Sequence, residues 1–89
     1  MKKFYFTFGC GQKHEGCYVI IEAEDSTEAC NEMIRRYGRE WSMQYTEDQW
    51  ILTRNNDPHW DMRLKMLGCK SDFPGPITQA EMYNLRLIK

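Results

Sequence analysis

The chain has 89 residues, with 12 Lys and Arg against 13 Asp and Glu and a formal net charge of −1. This length fits one domain. The balanced charge argues against a duplex-binding protein, which carries a basic excess, and against an acidic mimic of nucleic acid. No apolar run approaches the roughly 18 residues of a transmembrane helix, so neither direct nucleic-acid binding nor a membrane span is expected.

Two strands are predicted at the start of the chain. The phenylalanines of residues 2–8 share one face, and aromatic residues at a period of two are typical of a strand: Phe4, Phe6 and Phe8. Residues 17–23 form a second run that is nearly continuous in apolar character. The glycine-rich stretch Gly9–Gly16 separates them, so the two strands are expected to form an antiparallel hairpin with a long polar loop.

The clearest helix signal follows the second strand. Asp25 is a good N-cap with Glu28 at the third helical position, and Gly38 is a C-terminal stop. The apolar residues between them recur at helical spacing on one face: Ala29, Cys30, Met33, Ile34 and Tyr37. These residues are expected to pack on the sheet.

A third strand and a short helix are predicted next. Residues 41–45 alternate, and their large side chains share a face that is expected to cover the helix: Trp41, Met43 and Tyr45. Thr46 and Gln49 then form a capping-box pattern, which predicts a short helix through Trp50. Tyr5 and Tyr18 are expected on the opposite face of the sheet, together with Gln44.

The last third of the chain is harder to assign. Residues 60–66 alternate strictly, which favours a strand, although Asp57-Pro58 would also begin a helix well. A loop is expected over residues 68–76, and Thr78 with Glu81 predicts a final short helix.

These elements predict a single α+β domain over residues 1–89. Its ββαβ front half, residues 2–51, is a small antiparallel sheet packed on one main helix. Residues 52–89 form a C-terminal extension with a further strand or helix and the final short helix.

Cysteine and histidine side chains concentrate around the loop. Cys10, His14 and Cys17 lie within eight residues, and Cys69 or His59 could supply the fourth ligand of a zinc site. The Cys-x3-His-x2-Cys spacing, however, lacks the paired Cys-x2-Cys of structural zinc sites. Ordinary loop and core cysteines are therefore favoured, and no cofactor is expected.

Two other chemical interpretations involve the same loop. Cys10 and His14 could act as nucleophile and base, but no Asp or Asn stands in a paired position to orient the imidazole. Gln12, Lys13 and His14, with the glycine backbone, could instead bind a small molecule such as a nucleotide signal. Neither pattern predicts a specific reaction.

A basic cluster lies at the end of the main helix. Its arginines could bind a carboxylate or a phosphate: Arg35, Arg36 and Arg39. Neighbouring Glu32 and Glu40 balance this charge, so a solvated helix end is the favoured interpretation.

The first 51 residues contain several stretches in a characteristic order. These are KKFYFTFGCGQ at 2–12, YVIIEAED at 18–25 followed by Glu28-Ala29, and the pattern Tyr37-Gly38, WSMQYTE at 41–47 and Trp50. Together they resemble a family of small uncharacterised proteins of bacteriophages and prophages of Gram-positive bacteria. Residues 52–89 carry no part of this resemblance.

The resemblance implies a setting rather than a catalytic mechanism. It implies a phage-encoded protein of the host cell cytoplasm, and small phage proteins frequently act by binding. The leading hypothesis is a non-enzymatic anti-defence factor, such as an anti-CRISPR protein, that inhibits a host immune effector by direct protein binding. A protein that sequesters a nucleotide signal and a zinc- or thiol-dependent small enzyme are the alternatives, and a homodimer stays open.

Overall fold

The computed structural model describes residues 1–70, 73 and 75–88. Its secondary-structure elements, in chain order, are β1 (Lys2–Thr7), β2 (Cys17–Ala23), α1 (Ser26–Tyr37), β3 (Gln44–Thr46), α2 (Glu47–Trp50), β4 (Ile51–Leu52), α3 (Trp60–Leu67), β5 (Ile77–Thr78), α4 (Gln79–Tyr83) and β6 (Arg86–Leu87). The α+β class predicted from the sequence is confirmed. The predicted loop over residues 68–76 lies partly outside the described residues, and no described helix is long and apolar enough to cross a membrane.

The main sheet has four strands in the order β3-β1-β2-β6. Strands β1 and β2 form the predicted antiparallel hairpin, with Lys2 opposite Ala23 and Thr7 opposite Tyr18. Strand β3 pairs antiparallel with the other side of β1. Strand β6 pairs parallel with β2, so the sheet is mixed rather than antiparallel throughout as the sequence predicted.

Helix α1 covers one face of this sheet. Asp25 Oδ1 accepts a hydrogen bond from the Glu28 N–H at 2.8 Å, and the Gly38 N–H donates to the Ile34 carbonyl at 2.9 Å, so both predicted ends are confirmed. The buried side chains between helix and sheet are Phe4, Phe6, Phe8, Val19, Ile21, Ala23, Ala29 and Met33. The apolar faces identified in the sequence therefore form this core.

The opposite face of the sheet is covered by Trp50. Its ring contacts those of three tyrosines of the sheet: Tyr5, Tyr18 and Tyr45. The prediction that Tyr45 covers helix α1 is therefore wrong, because β3 begins three residues later than expected and places Tyr45 opposite Tyr5. Gln44 is on the helix side instead, where its Nε2 donates to the Ser26 carbonyl at 3.1 Å.

A second, smaller core lies beside the two-stranded ladder of β4 and β5. Its buried residues are Leu52, Trp60, Leu64, Ile77 and Met82. The predicted strand at residues 60–66 is wrong, because these residues form helix α3. Trp60 and Leu64 point inward with helical spacing, while Met62 and Met66 are 58% and 63% exposed. The alternation came from methionines that remain in solvent.

The short helices begin at the predicted caps. The Thr46 hydroxyl accepts from the Gln49 N–H at 3.2 Å, and the Gln49 carboxamide oxygen accepts from the Thr46 N–H at 3.0 Å. The Thr78 hydroxyl accepts from the Glu81 N–H at 3.2 Å. Helix α3 is held by Arg63, whose guanidinium forms an ion pair with the buried carboxylate of Asp57.

Candidate functional site

The Gly9–Gly16 loop folds back on itself. The Gln12 N–H donates to the Gly9 carbonyl at 3.1 Å, and the Glu15 N–H donates to the Gln12 carbonyl at 3.1 Å. Glu15 Oε1 accepts from the Gly11 N–H at 3.2 Å, and the Gln12 carboxamide oxygen accepts from the Gly9 N–H. Much of the loop's hydrogen-bonding capacity is therefore used within the loop, which leaves little preformed surface for a small ligand.

Cys10 and His14 have different partners within this loop. The Cys10 thiol donates a hydrogen bond to the Glu15 carboxylate, and this bond, with the negative charge of the carboxylate, raises the pKa of the thiol. The His14 ring packs against Phe8 and Tyr37, with centroid distances of 5.2 and 5.3 Å. Since a nucleophilic cysteine needs a lowered pKa, this environment disfavours the Cys10–His14 pair as a catalytic site.

The proposed zinc ligands are not gathered into a site. All four cysteines are free thiols. In the part of the chain that the structure describes, no three His, Cys, Asp or Glu side chains lie where they could hold a metal ion. The candidate set therefore has no common centre: Cys10, His14, Cys17 and Cys69.

The basic cluster at the end of α1 is engaged by one carboxylate. Glu32 accepts hydrogen bonds from both Arg35 and Arg36, with 2.7 Å between its Oε1 and the Arg36 Nε. These bonds lower the pKa of Glu32 from 4.5 to about 2. Arg39 is exposed beyond the helix end, so the three arginines do not form one anion-binding site.

The outer edge of β2 is only partly paired. The Arg86 N–H donates to the Gly16 carbonyl at 3.0 Å and the Ile88 N–H donates to the Tyr18 carbonyl at 2.9 Å. Backbone groups of alternate residues point to the same side of a strand, so those of Ile20 and Glu22 point to this side too. Among the described residues, β6 pairs only with Cys17 and Tyr18, which leaves Ile20 and Glu22 without a strand neighbour there.

A groove of about 490 Å³ runs along this open part of β2, beside helix α1. Residues of β2, three side chains of α1 and Met1 line it: Met1, Ile20, Ile21, Glu22, Ala23, Glu28, Glu32 and Arg36. We refer to it as the edge groove. It combines unpaired backbone donors and acceptors with charged side chains, which is the arrangement that an added strand requires.

Of the binding residues predicted from the sequence, only Arg36 lines the edge groove. Gln12, Lys13 and His14 lie in the loop, and Arg35 and Arg39 lie elsewhere on the surface. The sequence did not reveal the site, because the open edge depends on where β6 pairs. One signal was present: Glu22 is a charged residue in an otherwise apolar strand, which is typical of an edge strand.

Comparisons with known proteins found no match: no family model, curated protein or solved structure is significantly similar to this chain. The edge groove is therefore interpreted from its own geometry and residues.

Proposed function

We propose that this chain is a non-enzymatic binding protein that attaches to a partner protein through the open edge of β2. The observation that carries the proposal is the outer side of residues 19–23, where the described chain provides no neighbouring strand. Exposed edges of this kind pair readily with an extended segment of another chain. The backbone hydrogen bonds of the new strand supply affinity.

The edge is rigid before any partner binds. Val19, Ile21 and Ala23 are at most 4% exposed and anchor the inner face of β2 in the core beneath α1. Because the strand is already ordered, binding does not have to supply its ordering free energy. A fixed edge next to a helix therefore suits recognition of a partner better than it suits catalysis.

We further propose that the partner is a host immune effector and that the protein is an anti-defence factor of the anti-CRISPR kind, acting in the host cytoplasm. This part is supported by the resemblance of residues 2–51 to phage and prophage proteins. The near-neutral net charge of −1 also favours docking on a protein over mimicry of nucleic acid.

A panel of cloned phage-defence systems in a sensitive host tests this function. Co-expression of the chain is expected to restore phage plating against one of the systems. Ile20→Pro removes the outward N–H and is expected to abolish the effect, whereas Ile20→Val keeps the N–H and should retain it. Circular dichroism of both variants checks that each one is folded.

Two results would count against the proposal. If no system in the panel is inhibited, the anti-defence role is wrong. If a folded Ile20→Pro variant inhibits as well as Ile20→Val, binding does not use the β2 edge. Glu22→Pro, at the second outward-facing position, repeats the test should Ile20→Pro fail to fold.

A further inference from the structure

The edge groove has an unneutralised carboxylate on each side of the sheet. Glu28 projects from α1 on the helix side. Glu22 follows Ile21 in β2 and, since Ile21 faces the core, lies on the opposite face. Among the described residues no salt bridge reaches Glu22 or Glu28, whereas Glu32 already binds two arginines.

We infer that the edge groove binds an extended basic segment of the partner protein, roughly five residues long, with Lys or Arg side chains. The inference rests on the proposed function and adds the chemistry of the occupant. The groove lining has three carboxylates and one guanidinium. Arg36 is itself engaged by Glu32, so the groove presents negative charge to an incoming strand.

The alternation of a strand determines which side chains the groove selects. Successive residues of an added strand point to opposite faces of the sheet. One set meets Glu28 beside α1, and the other meets Ile20 and Glu22. Long basic side chains suit both sets, because their methylene stems can cover the half-buried Ile20 while their charged ends reach a carboxylate.

A second copy of this chain is a poor occupant of the same edge. Antiparallel pairing of two β2 edges would bring two acidic grooves together. Glu22 of each copy would then lie near the carboxylates of the other, and like charges across a strand pair are destabilising. Charge complementarity therefore favours a different, basic segment.

Blocked hexapeptides provide a direct test with the full chain. The probes are Arg-Val-Arg-Val-Arg-Val, the acidic counterpart Glu-Val-Glu-Val-Glu-Val, and the basic peptide N-methylated at alternate residues to prevent strand pairing. Binding is followed by the NMR shifts of the backbone amides. The basic peptide is expected to shift the amides of Ile20 and Glu22 and to bind at least fivefold more tightly than the acidic one, given on the order of 1 kcal/mol per exposed charge pair. N-methylation should abolish these shifts.

Substitutions identify the carboxylates that act. Glu22→Gln and Glu28→Gln are each expected to weaken binding of the basic peptide about two- to fivefold. Glu40→Gln, an exposed glutamate outside the groove, should leave it unchanged. Added salt should reduce the preference for the basic peptide, since exposed charges are screened.

Each contrary outcome has its own meaning. Equal binding of both peptides at the Ile20 and Glu22 amides would overturn the basic preference and leave edge binding intact. If neither peptide shifts these amides, both the inference and the proposed edge-binding function fail. A dimer in sedimentation, with the Ile20 amide protected from exchange, would identify a second copy as the occupant and overturn the inference.

Discussion

The indole ring of Trp50 lies flat on the phenol ring of Tyr5, with 4.7 Å between the ring centroids and 6° between the planes. Trp50 is 2% exposed, whereas the helix that carries it has only four residues. So short a helix has little stability of its own. The stacked indole therefore holds α2 against the sheet and closes the face that α1 does not cover.

Truncation of this ring should destabilise the whole fold. Trp50→Ala is expected to lower the free energy of unfolding by about 3–5 kcal/mol, because it leaves a cavity beside three tyrosines. Urea denaturation followed by circular dichroism measures the loss. Met43→Ala is the control: Met43 is 52% exposed, so its truncation should change stability by less than about 0.5 kcal/mol. Equal losses in the two variants would contradict the role assigned to Trp50.

The Asp57–Arg63 ion pair should matter more than its exposed counterpart. The Asp57 side chain is 4% exposed and also accepts a hydrogen bond from the His59 N–H at 3.0 Å. Asp57→Asn leaves the Arg63 guanidinium without its counter-charge, so a loss on the order of 3 kcal/mol in the free energy of unfolding is expected.

Asp61→Asn is the matched control for this substitution. The Asp61 side chain is 86% exposed, and its Oδ1 is 3.6 Å from Arg54 Nη1. Exposed pairs contribute little, so this variant should unfold within about 0.5 kcal/mol of the parent. The prediction is wrong if the two Asp→Asn variants have the same urea midpoint.

The Glu32 carboxylate should make a contribution to stability that disappears in acid. Its folded-state pKa of about 2 lies below its ordinary value of 4.5. The ion pairs therefore stabilise the fold fully above about pH 4.5, and this stabilisation is lost as the pH falls through 2. The difference in melting temperature between the parent and Glu32→Gln should shrink on acidification, while an NMR titration should place the Glu32 pKa near 2. A difference that does not depend on pH would contradict this assignment.

The Cys10 thiol should react slowly with alkylating reagents. The hydrogen bond to Glu15, with the charge of that carboxylate, raises the thiol pKa, so less thiolate is present at pH 8. Glu15→Gln is expected to increase the rate of iodoacetamide labelling of Cys10, measured by peptide mass spectrometry. Cys69, which is also exposed, serves as the internal control. An unchanged rate at Cys10 would show that Glu15 does not control its reactivity.

Local signals predicted the first half of the fold well. The alternating phenylalanines, the Asp25 cap and the Gly38 stop each depend on neighbours within a few residues, and the structure confirms all three. Residues 60–66 were different, because their alternation fits both a strand and a helix. Burial of Trp60 and Leu64 against β5 and α4 decided for the helix, and this contact is tertiary.

The candidate site was less predictable than the fold. Arg36 could be proposed as a binding residue because arginines are clustered at the end of α1. The role of Ile20 and Glu22 depends on the partial pairing of β2 with β6, a two-residue strand with both residues exposed. So short a strand leaves no periodic pattern in the sequence.

The pairing of Cys17 with Arg86 has a consequence for synthesis. The β1–β2 hairpin and α1 form from neighbouring residues, which can associate while the rest of the chain is still being translated. Until Arg86 to Ile88 have left the ribosome, the whole outer side of β2 stays unpaired. The nascent chain therefore presents a longer adhesive edge than the folded protein does, and protection by a chaperone would be needed most during this interval.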